Sequence, residues 1–191
     1  MKWIGKRISF VEEKNKTTII IYPEDLAWVK AVMGAWVAMW LTIGAVITWA
    51  YFKLALSKQE NIILIVFMAF WLYFAVKVIR SFFWLLWGRE LIKIDEVSVS
   101  YKRSIKGYGK AGIYYIENIL KIRVVEVEPN SIQSIWEKSP WIKGGERIEF
   151  EHKDKAILFG RKINHQDTKL LFRLISKRVD EQSRKLNKVN Q

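Results

Sequence analysis

The sequence predicts a membrane α+β protein, a two-helix transmembrane hairpin followed by an antiparallel β-rich domain that one C-terminal amphipathic helix closes. Three observations predict it. Residues 26–52 carry a single charge, Lys30, and residues 62–79 a single charge, Lys77; at about 1.5 Å of rise per residue, runs of this length cross roughly 30 Å of hydrocarbon. From residue 90 the apolar pattern changes to period two with frequent turn signals. After residue 164 it changes again, to the 3.6-residue period of an amphipathic helix.

Taken in order, residues 8–11 and 17–22 are rich in Ile and Thr and are separated by Glu12, Glu13, Lys14, Asn15 and Lys16, so they read as a hairpin. Pro23 ends it, and Glu24 and Asp25 stand where a carboxylate favours the positive end of the coming helix dipole. Residues 17–22 are expected to pack against the C-terminal domain, because its sheet would otherwise keep an exposed edge.

The two apolar runs must be helical, since backbone polar groups in lipid have to be satisfied within the segment. In the first, Ala31, Gly34, Ala35 and Ala38 put small side chains at helical spacing, where a second helix can approach closely. The connection 53–61 permits only an antiparallel hairpin. Trp28, Trp49, Tyr51 and Phe52 suit interfacial belts, whereas Trp36, Trp40 and Trp71 lie deeper, as lipid-facing bulk or as contacts to another membrane protein. Lys77 and Arg80 share a helical face near the end of the second span and can reach lipid phosphates. The aromatic run 82–87 either prolongs that helix or lies along the headgroups; periodicity leaves both open.

Strands are expected at 90–94, 97–103, 112–116, 119–127, 147–152 and 156–159, with a weaker one at 132–136. Asp95-Glu96 forms a tight connection, and Pro129-Asn130, Ser139-Pro140 and Gly144-Gly145 mark loops. Asn164 with Asp167 three residues later is an N-cap signal, and Leu170, Leu171, Leu174, Ile175 and Val179 form one apolar face. The polar tail is expected to fray after residue 184. The resulting domains are a hairpin at 1–25, a transmembrane hairpin at 26–88, a cytoplasmic domain at 89–184 and a tail at 185–191.

The chain has no cysteine and two histidines, which excludes a disulfide framework and thiol catalysis and leaves little for a zinc site. A formal net charge of +13 in a chain held at a bilayer points to anionic headgroups rather than nucleic acid. The N-terminus lacks the form of a cleavable signal: its apolar run begins late, is too long and has no small-residue cleavage site. Basic flanks at Lys2, Lys6, Arg7, Lys14 and Lys16 and at Arg80, Arg89 and Lys93 put both termini on the cytoplasmic side of the inner membrane.

A meander beginning Glu90-Leu-Ile-Lys-Ile-Asp95, the paired strand 97–103, a long strand at 119–127, two more at 147–152 and 156–159 and one closing helix resemble a bacterial pleckstrin-homology-like domain. Two membrane helices before such a domain are similar to the YcxB-like group of small bacterial membrane proteins. The same outline also resembles photosystem assembly factors. The resemblance implies a module for binding lipid, oligomerising or binding protein, and assigns no single task.

Gly107-x-Gly109-x-x-Gly112 spells a dinucleotide fingerprint but leads into a strand where the fingerprint needs a helix. Around it, Lys102, Arg103, Lys106 and Lys110 make a basic turn that is a candidate contact for lipid headgroups, together with Lys77 and Arg80. Asp95, Glu96, Glu126, Glu128, Glu149, Glu151 and Asp154 alternate with apolar residues as an outward face would, and neither His152 nor His165 has a nucleophile or ligand set at a telling spacing. Trp136 and Trp141 lie on the segment 131–145, long for a strand connection, and join Trp36, Trp40 and Trp71 as candidate partner contacts. The expectation is a non-enzymatic integral membrane protein, without cofactor or metal, whose partners are membrane lipids and a protein in the membrane: an accessory subunit, scaffold or assembly factor. The alternative is a lipid-responsive module that binds anionic headgroups through the basic turn.

Overall fold

The structure, a computed structural model, describes residues 1–126, 131–132, 139, 144–153 and 155–189, the last by its backbone alone. Its chain divides into two compact units. One joins Met1–Glu24 to Trp87–Gln191, and the other is Asp25–Leu86.

The first unit is built from nine described strands and a helix. Strands β1 (Lys2–Ile4), β2 (Ile8–Glu12), β3 (Thr17–Ile21), β4 (Gly88–Ile94), β5 (Ser98–Ile105) and β6 (Ala111–Tyr115) form one antiparallel sheet in that order. A single 3-10 turn, Ile116–Asn118, leads to β7 (Ile119–Val124), which pairs with β8 (Glu146–His152) and β9 (Lys155–Arg161) in a second antiparallel sheet. Helix α1 (Ala27–Lys53) and helix α2 (Lys58–Trp87) intervene between β3 and β4, and helix α3 (His165–Val189) ends the fold.

Period-two patterning explains the first sheet. Thr17, Ile19 and Ile21 of β3 are buried on one side, and Gly88, Glu90, Ile92 and Ile94 of β4 are buried on the same side. Their register puts Ile19 opposite Ile92 and Thr17 opposite Ile94. The N-terminal strand therefore does pack on the C-terminal region, and it does so as a hydrogen-bonded partner of β4. The inward rows meet Ile148, Phe150 and Phe159 of the second sheet and Leu171, Ile175 and Val179 of α3 in one core.

Helix α3 starts where the sequence places it. Asn164 Oδ1 accepts the Asp167 N–H at 2.7 Å, Asn164 Nδ2 donates to Asp167 Oδ2 at 2.8 Å, and the Thr168 hydroxyl donates to the Asn164 carbonyl. Its buried stripe runs through Thr168, Leu171, Ile175, Val179 and Gln182, while Leu170, expected on that face, is 42% exposed. The helix continues past Arg184 to Val189 instead of fraying. Strand β1 was not foreseen, because Lys-Trp-Ile is too short to show a period. Strand β7 stops at Val124, short of the expected 127, with Val125 and Glu126 outside it; most of the weaker strand 132–136 lies outside the described residues, as do Val127, Trp136, Trp141, Glu128, Pro129, Asn130, Pro140 and Asp154.

In the second unit α1 and α2 are long and apolar enough to cross a membrane. The aromatic run stays helical, since α2 extends through Trp87. Ser57 and Glu60 cap the start of α2 reciprocally: Glu60 Oε2 accepts the Ser57 N–H at 2.8 Å and Ser57 Oγ accepts the Glu60 N–H at 3.3 Å. Thr42, Thr48 and Ser81 donate their hydroxyls to carbonyls four residues back, which satisfies them without another chain. On α1 the covered stripe is Val29, Met33, Val37 and Gly44. Of the four small residues expected to face α2, only Gly34 does so, with the Phe82 ring beside it; Ala31, Ala35 and Ala38 are exposed. At 100° per residue the stripe through 29, 33 and 37 turns those alanines outward.

Candidate functional site

The most organised polar cluster is one that alternation half reveals. Glu90 shares the inward parity of Ile92 and Ile94 and is 1% exposed. Its Oε2 accepts the Gly160 N–H at 2.8 Å and the Tyr101 hydroxyl at 3.2 Å, and its Oε1 accepts the Arg161 N–H at 3.1 Å. Arg103 Nε in turn donates to the Tyr101 oxygen at 2.6 Å, and Arg103 Nη2 pairs with Glu146 at 2.7 Å. Arg7 donates to the carbonyls of Tyr22, Arg161 and Lys162. Thus the turn before β2 and strands β4, β5, β8 and β9 are tied across the two sheets by one network.

Burial, followed by the Glu90 charge, pushes the Tyr101 phenol far above its ordinary value, so it remains a donor. Burial also lowers the Arg7 guanidinium, against the opposing pull of Glu24, Glu90 and Asp167. For Arg103 burial again acts downward, but its Tyr101, Glu90 and Glu146 partners outweigh it and the net direction is up. The partners of Glu90 and Arg103 lie on both sheets, so the cluster clamps one sheet to the other.

The basic turn divides when its contacts are read. Lys102 Nζ donates to the Gly107 carbonyl at 2.7 Å, and Arg103 is taken by Tyr101 and Glu146. Lys106 stands 4.0 Å over the Trp87 ring, and its N–H donates to the Trp87 carbonyl. Lys110 is exposed beside a cleft of about 470 Å³ between β6 and β9, whose walls include Tyr101, Tyr114 and Ile157. The glycines of the Gly107-x-Gly109-x-x-Gly112 string form the β5–β6 turn and the start of β6, with Gly107 at φ 89°.

Sequence reasoning missed a set of ring contacts beside the end of β3 and the start of β4. Trp3 stacks on Tyr22 at 5.9 Å, and the Arg89 guanidinium lies 5.4 Å from the same Tyr22 ring. The signal was available: Tyr22 precedes the apolar helices, Trp87 ends them, and Arg89 is two residues beyond.

The other expected sites are placed as follows. Lys77 is exposed with its ammonium 5.0 Å over Tyr73, and Arg80 is exposed. Trp36 is 45% exposed and its ring lies 6.3 Å from that of Trp40. Trp71 is half-buried and nests on Gly44, where an added Cβ would sit 2.0 Å from the indole. Trp71 is thus a packing residue of the helix pair. Glu149 departs from the outward face expected of it: it is buried and takes a two-pronged contact from Arg123. The His152 ring packs on Tyr114 at 5.2 Å. Among the described residues no three of His, Asp or Glu gather as metal ligands would.

No family model matches this chain, and no curated protein sequence matches it.

Proposed function

We propose that α1 and α2 cross the cytoplasmic membrane as an antiparallel hairpin, and that the protein is a non-enzymatic accessory subunit, scaffold or assembly factor of a larger membrane complex. The observation that carries this reading is the pairing of β3 with β4. Strands on both sides of the helices belong to one sheet, so both ends of the hairpin emerge on one side, as two crossings require. The basic flanks favour the cytoplasm for that side. A sheet built from both sides of the helices is joined to them by two chain connections, which suits a platform held at the membrane.

The domain reading is pleckstrin-homology-like, in the manner of the YcxB-like group. That reading is supported by the antiparallel strands β4 to β6, the further three β7 to β9 and the closing helix α3, to which β1 to β3 add at the edge of the first sheet. The exposed Trp36 and the neighbouring Trp40 on α1 offer a flat aromatic surface for a protein partner within the bilayer.

Purification from the native membrane in mild detergent, followed by mass spectrometry, tests the proposal. The expected result is a membrane protein recovered at constant stoichiometry and lost on Trp36→Ala. Recovery of this chain alone at native abundance contradicts it.

A further inference from the structure

The first sheet is polarised from end to end. The row Ile8, Ile21, Glu90 and Arg103 lies at one end, where the chain leaves for α1 and returns from α2, and the row Glu12, Thr17, Ile94 and Val99 lies at the other. The turns at the helix-bearing end carry Lys6, Arg7, Arg89, Lys106 and Lys110, against Glu24. Those at the far end carry Glu12, Glu13, Asp95 and Glu96 against Lys14, Lys16 and Lys93, and Glu12, Glu13 and Asp95 are paired to cations, so the charges there nearly balance. Among the described residues, Lys6, Arg89, Lys106 and Lys110 have no carboxylate at ion-pair distance, while Lys2 of the same unit does.

Aromatic rings accompany these cations. Trp3 stacks on Tyr22, Arg89 covers Tyr22, and Lys106 covers Trp87; Trp3 is 54% and Trp87 39% exposed. Indole and phenol rings beside Lys and Arg are the chemistry of the bilayer interface, where the ring sits among headgroups and the cation meets phosphate. The far end, where acids and bases nearly cancel, has no such excess of cations, so attraction to a negative leaflet is one-sided.

We propose that the helix-bearing end of the domain, through Trp3, Tyr22, Trp87, Arg89 and Lys106, is a seat on the phosphate layer of an anionic bilayer. It rests on the reading of α1 and α2 as membrane spans. The contact is with many lipids at once and is held by charge and by ring insertion. It differs from the basic turn as the sequence presents it, because Lys102 and Arg103 are committed within the fold and Arg89, Trp3 and Tyr22 take their place.

The absence of cysteine permits a direct test with the full chain in nanodiscs. A fluorophore on Tyr108→Cys reports the seat, on Asn15→Cys the far end, and on Val46→Cys the second half of α1. Nanodiscs of phosphatidylcholine alone, or mixed with phosphatidylglycerol, carry nitroxide quenchers either on headgroups or deep in the acyl chains. The expected result is headgroup quenching at position 108 in anionic discs, none at 15, and deep quenching at 46 in both. The pair Arg89→Gln and Lys106→Gln lowers the seated-to-free ratio at 108 by roughly an order of magnitude, and high salt does the same to the chain that keeps both residues. If 46 is reached by the deep quencher but 108 is quenched equally in neutral and anionic discs, the seat is overturned and the spans stand. If 46 is not reached, both fall.

Discussion

Glu90 is a carboxylate where alternation asks for an apolar residue, on the inward row of β4 that continues into Ile92 and Ile94. Burying an ionised group is tolerable only when its lone pairs are satisfied, and here two backbone N–H groups and a phenol do so. Glu90→Gln replaces one acceptor by an amide donor aimed at N–H groups. It is expected to lower unfolding stability by about 2–4 kcal/mol in chemical denaturation of the detergent-solubilised chain; a loss under about 1 kcal/mol would show that the network adds little. Burial of Glu90 was legible from its parity with Ile92 and Ile94. Its partners were not, because Gly160 and Arg161 lie seventy residues downstream and no local pattern links them.

A second residue-scale prediction concerns pH. Glu12 joins Arg178 of α3 at 2.7 Å and Lys2 of β1 at 3.0 Å, and these hydrogen bonds lower its carboxyl below the ordinary 4.5. A folded value below the unfolded one means that the stabilisation is full above about pH 4.5 and is lost as pH falls through the folded value. Glu12→Gln should therefore flatten part of the acid limb of stability against pH while costing no more than about 1 kcal/mol at neutrality. An unchanged acid limb would contradict this.

At the scale of elements, the helix pair turns on one glycine. Any side chain at Gly44 meets the Trp71 indole, so Gly44→Leu should lower the thermal midpoint of the solubilised protein by the equivalent of about 1–3 kcal/mol, and Trp71→Ala in the same chain should return part of it. Additive losses in the double variant would mean that the two do not touch. Asn164→Ala removes the cap of α3 and should cost about 1 kcal/mol by the same measure. The cap was legible because its signal is local, Asn and Asp three apart before an apolar stripe. The contact stripe of α1 was not: small residues at 31, 34, 35 and 38 are compatible with several faces of an apolar helix, and only the neighbouring Phe82 and Trp71 select Gly34 and Gly44.

Over the whole molecule, what matters is which strands share a sheet. Period two marks Thr17, Ile19 and Ile21 as a strand, yet says nothing of its neighbour, and sixty-odd residues of apolar helix separate it from β4. Only the demand that the edge of β4 be covered pointed to the pairing. The account holds that residues on both sides of the helices form one folding unit. Without β1 to β3 the core loses Ile8, Ile19 and Ile21, all at most 2% exposed, and β4 loses a full ladder of hydrogen bonds. Because the register that pairs Ile21 with Glu90 continues to Tyr22 opposite Arg89, a three-residue turn, Asn-Gly followed by Gly88, can replace the helices.

The most direct measurement compares thermal unfolding, by circular dichroism, of two soluble chains: residues 1–22 joined by Asn-Gly to 88–189, and residues 88–189 alone. The joined chain is expected to unfold cooperatively and the shorter one to show no cooperative transition. A cooperative transition of the same midpoint in residues 88–189 alone would contradict the claim that the domain is completed from both sides of the helices.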